Sequence, residues 1–380
     1  MFKTLFLVLS LLSILYGKII PASYQIKEYL PLLRGKRVAL VVNHSSMVNR
    51  VHLVDLLRKK RVNIVTIFAP EHGFRGEADA GHTIKNGIDK KSGIPIISLY
   101  GKKKKPTKRD LRDVDVILFD IQDVGVRFYT YLSTLHYILE AGGRYKKRVI
   151  LLDRPNPNGY YIDGDILDKR YSSFVGLDPV PLVYGMTIGE YAKMLNGEGW
   201  LSGGLKANLK VIPILNYTHN SRYTLPIKPS PNLPTAKAIA LYPSLALFEG
   251  TVFSAGRGTD RPFELYGHPK YIDKSFSFTP KSTKGARYPK FKNIRCYGVN
   301  LHSKSVVKGK IDLSYILDAY RKYPNRRDFF LKNRFIDKLW GSSRLRKQII
   351  EGWSEAQIRD SYRKRVDRFK KIRERYLLYK

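Results

Sequence analysis

Cysteine is all but missing from this chain: Cys296 is the one thiol in 380 residues. A lone thiol forms no internal disulfide and excludes a cysteine-based metal cluster, so the fold must rest on packing alone. Its distance from the N-terminus also excludes a lipoprotein anchor. Acidic side chains are scarce, 32 Asp and Glu against 69 Lys and Arg, for a formal charge of +37. Such an excess first suggests nucleic acid. Yet the basic residues are spread along the chain, apart from the run at 102–105 and the C-terminal stretch, and no nucleic-acid partner is expected. Two readings of the charge stay open: long-range attraction to an anionic polymer of the cell envelope, or a source organism whose exported proteins are generally basic.

Long apolar runs are missing too. The longest near the N-terminus is residues 5–16, preceded by Lys3 and followed by Gly17, too short for the roughly 20 residues that span a bilayer. It reads as a cleaved secretory signal within residues 1–22, with cleavage after Gly17 or Ala22. An exported protein, periplasmic or secreted and without a stable membrane anchor, is the expectation. Glycine-rich phosphate loops are absent: no G-x-G-x-x-G follows a strand, and Gly101 with its lysines lacks the second glycine of a Walker A loop. No H-x-x-x-H pair exists, which argues against a zinc site at helical spacing. Neither cofactor nor metal is expected.

What the chain does have is a repeated event. Apolar runs at 36–42, 62–69, 94–99, 116–119 and 148–152 each stop abruptly at polar side chains. Helical periodicity fills 52–60, 107–114 and 130–145. Buried parallel strands read as continuous apolar runs, and strands alternating with helices make βαβ units. The prediction is an α/β protein with a Rossmann-like parallel sheet. Ligand sites in such sheets lie beyond the carboxyl ends of the strands. Asn43, Glu71, His72, Tyr100, Asp120, Asp123, Asp153 and Arg154 should therefore converge on one edge. The segment 115–131, DVILFDIQDVGVRFYTY, is densest, adding Gln122, Arg127, Tyr129 and Tyr131.

The second half is rich in Gly, Pro and Asn. Thr187 and Glu190 form a capping-box pattern. PSPNLPT at 229–235 reads as a rigid loop carrying Asn232, and it leads into an apolar helix at 236–248. Glu249 follows, then SAGRGTDRPFE at 254–264. Glycines on both sides of Arg257 suit tight turns that present a guanidinium to a carboxylate; Glu264 closes this candidate group. Residues 354–379 place Ile358, Tyr362, Val366, Phe369, Ile372 and Tyr376 three or four apart, the stripe of an amphipathic helix docked on its own protein.

Several of these stretches occur together, in order, in one family: APEHGFRG (69–76), SLYG (98–101), FDIQDVG (119–125) with RFYTY (127–131), DRPNP (153–157), GMTIGE (185–190), PSPN (229–232), EGT (249–251) and GRGT (256–259). The chain resembles the NamZ family of exo-β-N-acetylmuramidases over about residues 35–380. It differs in carrying Asn43-His44-Ser45-Ser46 where the family has Asn-Pro-Thr-Gly, and Tyr184 where it has His. The resemblance implies a Rossmann-like N-terminal domain, taken here as 23–250, a smaller α+β C-terminal domain at 251–380, and a site in the cleft between them. It implies release of N-acetylmuramic acid from the non-reducing end of peptidoglycan fragments.

Glycoside hydrolysis needs one carboxyl group to protonate the leaving oxygen and a second as base or nucleophile, unless the substrate's acetamido oxygen serves. Glu71 is the candidate acid, with His72 and Arg75 to orient it. Asp120, Asp123 and Glu249 stay open for the second role. Arg127 or Arg257 would clamp the lactyl carboxylate, and Asn232, Tyr129 and Tyr131 would bind hydroxyls or carry the sugar ring. Two rivals remain: a metal hydrolase using His44, His72, Asp120 and Asp123, and a non-catalytic muropeptide-binding protein.

Overall fold

The computed structural model describes residues 17–74, 86–307 and 309–380. Its centre is a seven-stranded sheet built from β1 (Arg37–Val42), β2 (Asn63–Ala69), β3 (Gly87–Ile88), β4 (Pro95–Ser98), β5 (Val116–Asp120), β6 (Arg148–Leu152) and β7 (Leu209–Ile212). The spatial order is β3-β4-β2-β1-β5-β6-β7, parallel throughout except for the edge strand β3. The apolar runs are explained by burial on both faces. Ala39, Val41, Ile117, Phe119, Val149 and Leu151 enter one hydrophobic cluster, while Val38, Leu40, Val42, Val116, Leu118, Ile150 and Leu152 enter another. Alternate side chains of a strand point to opposite faces, so a strand covered on both sides must be apolar at every position.

Helices α1 (Ile26–Leu33) and α2 (Leu53–Lys59) supply Tyr29, Leu33, Leu53, Val54 and Leu57 to the second cluster. The first cluster takes α3 (Tyr131–Arg144) and α4 (Ile188–Gly197), the latter opened by the expected Thr187–Glu190 capping box. It then runs on without a break into the C-terminal part, through Phe248, Phe253, Tyr266, Trp340 and Tyr362. That part holds α5 (Ala236–Leu245), the antiparallel strands β8 (Leu265–His268), β9 (Ser277–Phe278) and β10 (Cys296–Asn300), then α6 (Ser314–Arg321), α7 (Phe335–Trp340), α8 (Arg344–Ile350) and α9 (Glu355–Glu374). The α9 stripe buries Ile358, Tyr362, Val366 and Phe369 as its spacing predicts. Arg359 and Arg365 then tie α9 to Asp163 and Asp165 at 2.7 and 2.8 Å.

One predicted helix is absent. Residues 107–114 form successive turns, closed by Asp110 accepting from the Thr107 amide and hydroxyl at 2.7 and 2.8 Å. Only Leu111 and Val114 there are buried apolar anchors, too few to hold an isolated turn-length helix against its nucleation cost.

Candidate active site

The polar strand ends do gather on one edge, but most of them are occupied by the fold itself. The chain reverses direction across the sheet between β1 and β5, where an open α/β sheet offers a crevice. Here the loop after β1 fills it. Asn43 is buried and its Oδ1 accepts from the Ser45 amide and hydroxyl at 2.9 and 2.6 Å. Ser46 Oγ donates to the Asp120 carbonyl, and Ser45 Oγ accepts from the Gln122 amide at 3.0 Å.

Several expected site residues are corrected by their surroundings. Asp120 is fully buried in a two-pronged pair with Arg154, Nε to Oδ1 at 2.6 Å and Nη2 to Oδ2 at 2.8 Å. It is a structural ion pair, out of reach of a substrate. Gln122 donates to the carbonyls of Asp123 and Pro155 at 2.8 and 2.7 Å. Asp153 caps the start of α4 through Thr187 Oγ1 at 2.7 Å and the Gly189 amide at 2.8 Å, and also accepts from Tyr379 Oη at 2.6 Å. Arg127 is the expected clamp that fails most plainly. It is 1% exposed and donates to the carbonyls of Asp165, Val180 and Leu339 at 2.9, 2.7 and 3.0 Å. Burial pulls its guanidinium down to about 10. Glu264 is enclosed by Thr235 Oγ1 and His302 Nδ1. Tyr129 Oη bonds the Pro229 carbonyl at 2.7 Å, and Asn232 Nδ2 bonds the Gly285 carbonyl at 2.7 Å. These two hold neighbouring loops in place. Arg75 lies outside the described residues.

Asp123 is also removed from solvent, at 2% exposure. Its Oδ2 accepts from the Gly125 amide at 2.6 Å and from the Tyr184 hydroxyl. Burial pushes its carboxyl up to about 6 against the pull of those bonds. Among the described residues no three His, Cys, Asp or Glu side chains are grouped to hold a metal ion. The set His44, His72, Asp120 and Asp123 is divided instead: Asp120 belongs to Arg154, and His44 Nε2 meets the Lys228 carbonyl at 2.8 Å.

What remains open is a cleft of about 830 Å³ between the loops beyond the sheet and the C-terminal part. Glu71, Tyr100, Thr130, Tyr242, Glu249, Arg257 and Lys290 are among its walls. Glu71 reaches it because the chain turns sharply past β2. The Gly73 amide donates to the Pro70 carbonyl at 3.0 Å, and His72 takes φ of +68°. The turn buries His72, whose Nε2 lies 3.4 Å from Ser230 Oγ, and leaves Glu71 half-exposed. Thr130 Oγ1 donates to Glu71 Oε2 at 2.6 Å, the Tyr100 hydroxyl also bonds this carboxylate, and Tyr131 Oη lies 3.5 Å from its main-chain oxygen.

Arg257 is brought in by the glycines that flank it. Gly256 and Gly258 have φ of +78° and +83°, and a Cβ on Gly258 would stand 2.6 Å from the Lys281 carbonyl oxygen. Arg257 Nε and Nη2 pair with Glu249 at 2.8 and 3.4 Å. Lys290 Nζ caps the turn around Glu249, donating to the carbonyls of Thr251 and Phe253 at 2.6 and 3.1 Å. Burial would raise the Glu249 carboxyl, but Arg257 and Lys290 hold it below its ordinary range. It is a carboxylate kept charged. Tyr242 lies within electrostatic range of Arg257, Glu249 and Glu71. The site thus offers two carboxyl groups in a single cleft, one bonded by hydroxyls and one paired with Arg257.

Sequence alone does not single out Thr130, Tyr242 or Lys290. Thr130 stands inside the dense stretch after β5, a signal of position if not of role. Lys290 has no local signal, since its carbonyl partners lie 37 to 42 residues earlier.

Comparison with known proteins agrees along most of the chain. Residues 38–237 match the N-terminal domain model of exo-β-N-acetylmuramidase NamZ, and residues 240–379 match its C-terminal domain model. A peptidoglycan β-N-acetylmuramidase NamZ of Bacillus subtilis is 39% identical, the match covering 93% of this chain and 89% of that protein. Two crystal structures of DUF1343-family proteins from Bacteroides fragilis superpose with TM-scores of 0.89 and 0.84, at 45% and 30% identity. Each match covers 96% of this chain and 99% of the other. Matched in both halves and carrying the same architecture throughout, the chain belongs to the NamZ family of exo-β-N-acetylmuramidases.

Proposed function

We propose that this protein is an exported, exo-acting glycosidase that removes N-acetylmuramic acid from the non-reducing end of peptidoglycan fragments, with Glu71 as its general acid. The observation that carries the assignment is that two carboxyl groups, Glu71 and Glu249, line one cleft. Glu71 accepts hydrogen bonds from Thr130 and Tyr100 and stays half-exposed to the cleft. Glu249 is ion-paired at 2.8 Å. A general acid must be held in place within reach of the leaving oxygen, while a carboxylate facing a developing oxocarbenium charge must stay ionised. Glu71 gives its proton to the departing glycosidic oxygen as the C1–O bond breaks. Glu249 stabilises the charge on the ring or orients the acetamido group. Arg257 uses two of its five donors on Glu249, which leaves others for the lactyl carboxylate.

Two residues within the expected signal at 1–22 are tied into the fold. Ile20 and Leu215 exchange main-chain hydrogen bonds at 3.0 Å, and the Ala22 amide donates to the Asp153 carbonyl at 3.0 Å. Cleavage after Gly17 preserves these bonds, whereas cleavage after Ala22 removes them, so we place the mature N-terminus near Lys18. Mass spectrometry of the protein from the envelope fraction tests this; an intact Met1 would refute it. The decisive functional test is incubation with N-acetylmuramyl-N-acetylglucosamine. Free monosaccharides are the expected product. Binding without turnover at high enzyme concentration would identify a muropeptide-binding protein instead.

A further inference from the structure

Beyond Glu71 the cleft wall continues as a row of rings. Tyr100, whose hydroxyl bonds Glu71, has its ring centroid 5.8 Å from that of Phe174. Phe174 is backed by Tyr137, which is not itself part of the cleft lining, at 6.4 Å with the planes 10° apart. Lys104 Nζ stands 4.8 Å above the Phe174 ring. Its neighbours in the lysine run are neutralised, Lys103 by Asp110 at 2.9 Å and Lys105 by Glu140 at 2.7 Å. Among the described residues no carboxylate pairs with Lys104, which lies exposed at the mouth. Tyr288, 74% exposed, adds a further ring to the rim, with Arg287 5.7 Å from it.

Aromatic faces in an aqueous cleft suit the apolar C–H faces of sugar rings, and a lysine without an acidic partner suits a carboxylate. Glu71 must face the scissile oxygen, so one sugar lies on each side of it. Arg257 and Glu249, 25% and 30% exposed, mark the more enclosed side. The ring row leads from Glu71 towards the exposed mouth. An enzyme acting on chain ends places the terminal sugar in the enclosed side and lets the remaining chain leave through the mouth.

On the glycosidase reading above, we infer that Tyr100 and Phe174, with Lys104 over the latter, form a track for the leaving chain. It holds two sugars past the scissile bond, and Lys104 binds a carboxylate on the second. That carboxylate comes from a free lactyl group or from a stem peptide. The protein is therefore built for fragments longer than a disaccharide.

The test compares kcat/KM on a nitrophenyl N-acetylmuramide, the disaccharide, the N-acetylmuramyl-N-acetylglucosaminyl tetrasaccharide, and the same tetrasaccharide carrying a peptide on its second muramyl residue. The tetrasaccharide should exceed the disaccharide on the order of tenfold. Lys104→Ala and Phe174→Leu should each lower the ratio of tetrasaccharide to nitrophenyl rates by about as much. A larger loss with the peptide-free substrate assigns Lys104 to the lactyl carboxylate, and a larger loss with the peptide-bearing one assigns it to the peptide. No preference for length, or equal losses on the tetrasaccharide and the nitrophenyl glycoside, would overturn the track. Failure of the wild type to cleave any of the four would instead overturn the glycosidase reading.

Discussion

Replacing Glu71 by glutamine separates chemistry from structure at the centre of the cleft. Thr130 Oγ1 donates to Glu71 Oε2 at 2.6 Å and the Tyr100 hydroxyl bonds the same group. Glutamine keeps one oxygen to accept from one hydroxyl and offers an amide to the other, which can rotate to accept. Of these two hydrogen bonds at most one is lost, worth about 1 kcal/mol, a shift in melting temperature of less than about 4 °C. Loss of a positioned acid lowers turnover on the order of 10²–10⁴, equivalent to about 3–5 kcal/mol of barrier. The two effects are far enough apart to be told apart. Thermal unfolding measures the first, and hydrolysis of N-acetylmuramyl-N-acetylglucosamine measures the second. A nitrophenyl glycoside, whose leaving group needs little protonation, should lose much less rate than the disaccharide. Equal losses on both substrates, or a fall in stability as large as the fall in activity, would refute Glu71 as the acid and move attention to Glu249.

Other outcomes follow from the same geometry. Arg127→Met strips charged donors from three buried carbonyls and should cost about 3 kcal/mol or more of stability; unchanged unfolding with weaker binding of lactyl-bearing substrates would restore it as a clamp. Asp123, raised to about 6 by burial, holds its proton in the folded state at a pH where the unfolded chain has lost it. Its contribution is full below about pH 4 and is lost as pH rises through about 6. Asp123→Asn, which can still accept from Tyr184 and Gly125, should flatten the stability profile across that window in denaturant titrations; an unaltered profile would place the titration elsewhere. If the charge of +37 steers an anionic substrate, kcat/KM should fall as salt shortens the screening length towards about 8 Å, and a flat response would leave the charge as a trait of the organism's exported proteins.

The parallel sheet was legible in the chain because strands buried on both faces must be apolar at every position, and β1, β2, β4, β5 and β6 all occur where such runs stand. Glu71 was legible because an acid that follows a proline at a strand end, with a histidine and an arginine beside it, stands where such a sheet places its site. The stripe of α9 was legible from its spacing. Sequence could not sort the polar residues at the strand ends into open and closed. Asp120, Asp153 and Arg127 look locally like Glu71, but their partners come from far along the chain: Arg154 is 34 residues away, Tyr379 is 226 and Leu339 is 212. A buried polar group must find a hydrogen-bond partner, and whether it finds one inside the protein or keeps its valence for a ligand depends on which distant segment packs against it. For Asp153 and Arg127 that segment belongs to the C-terminal part packed against the sheet.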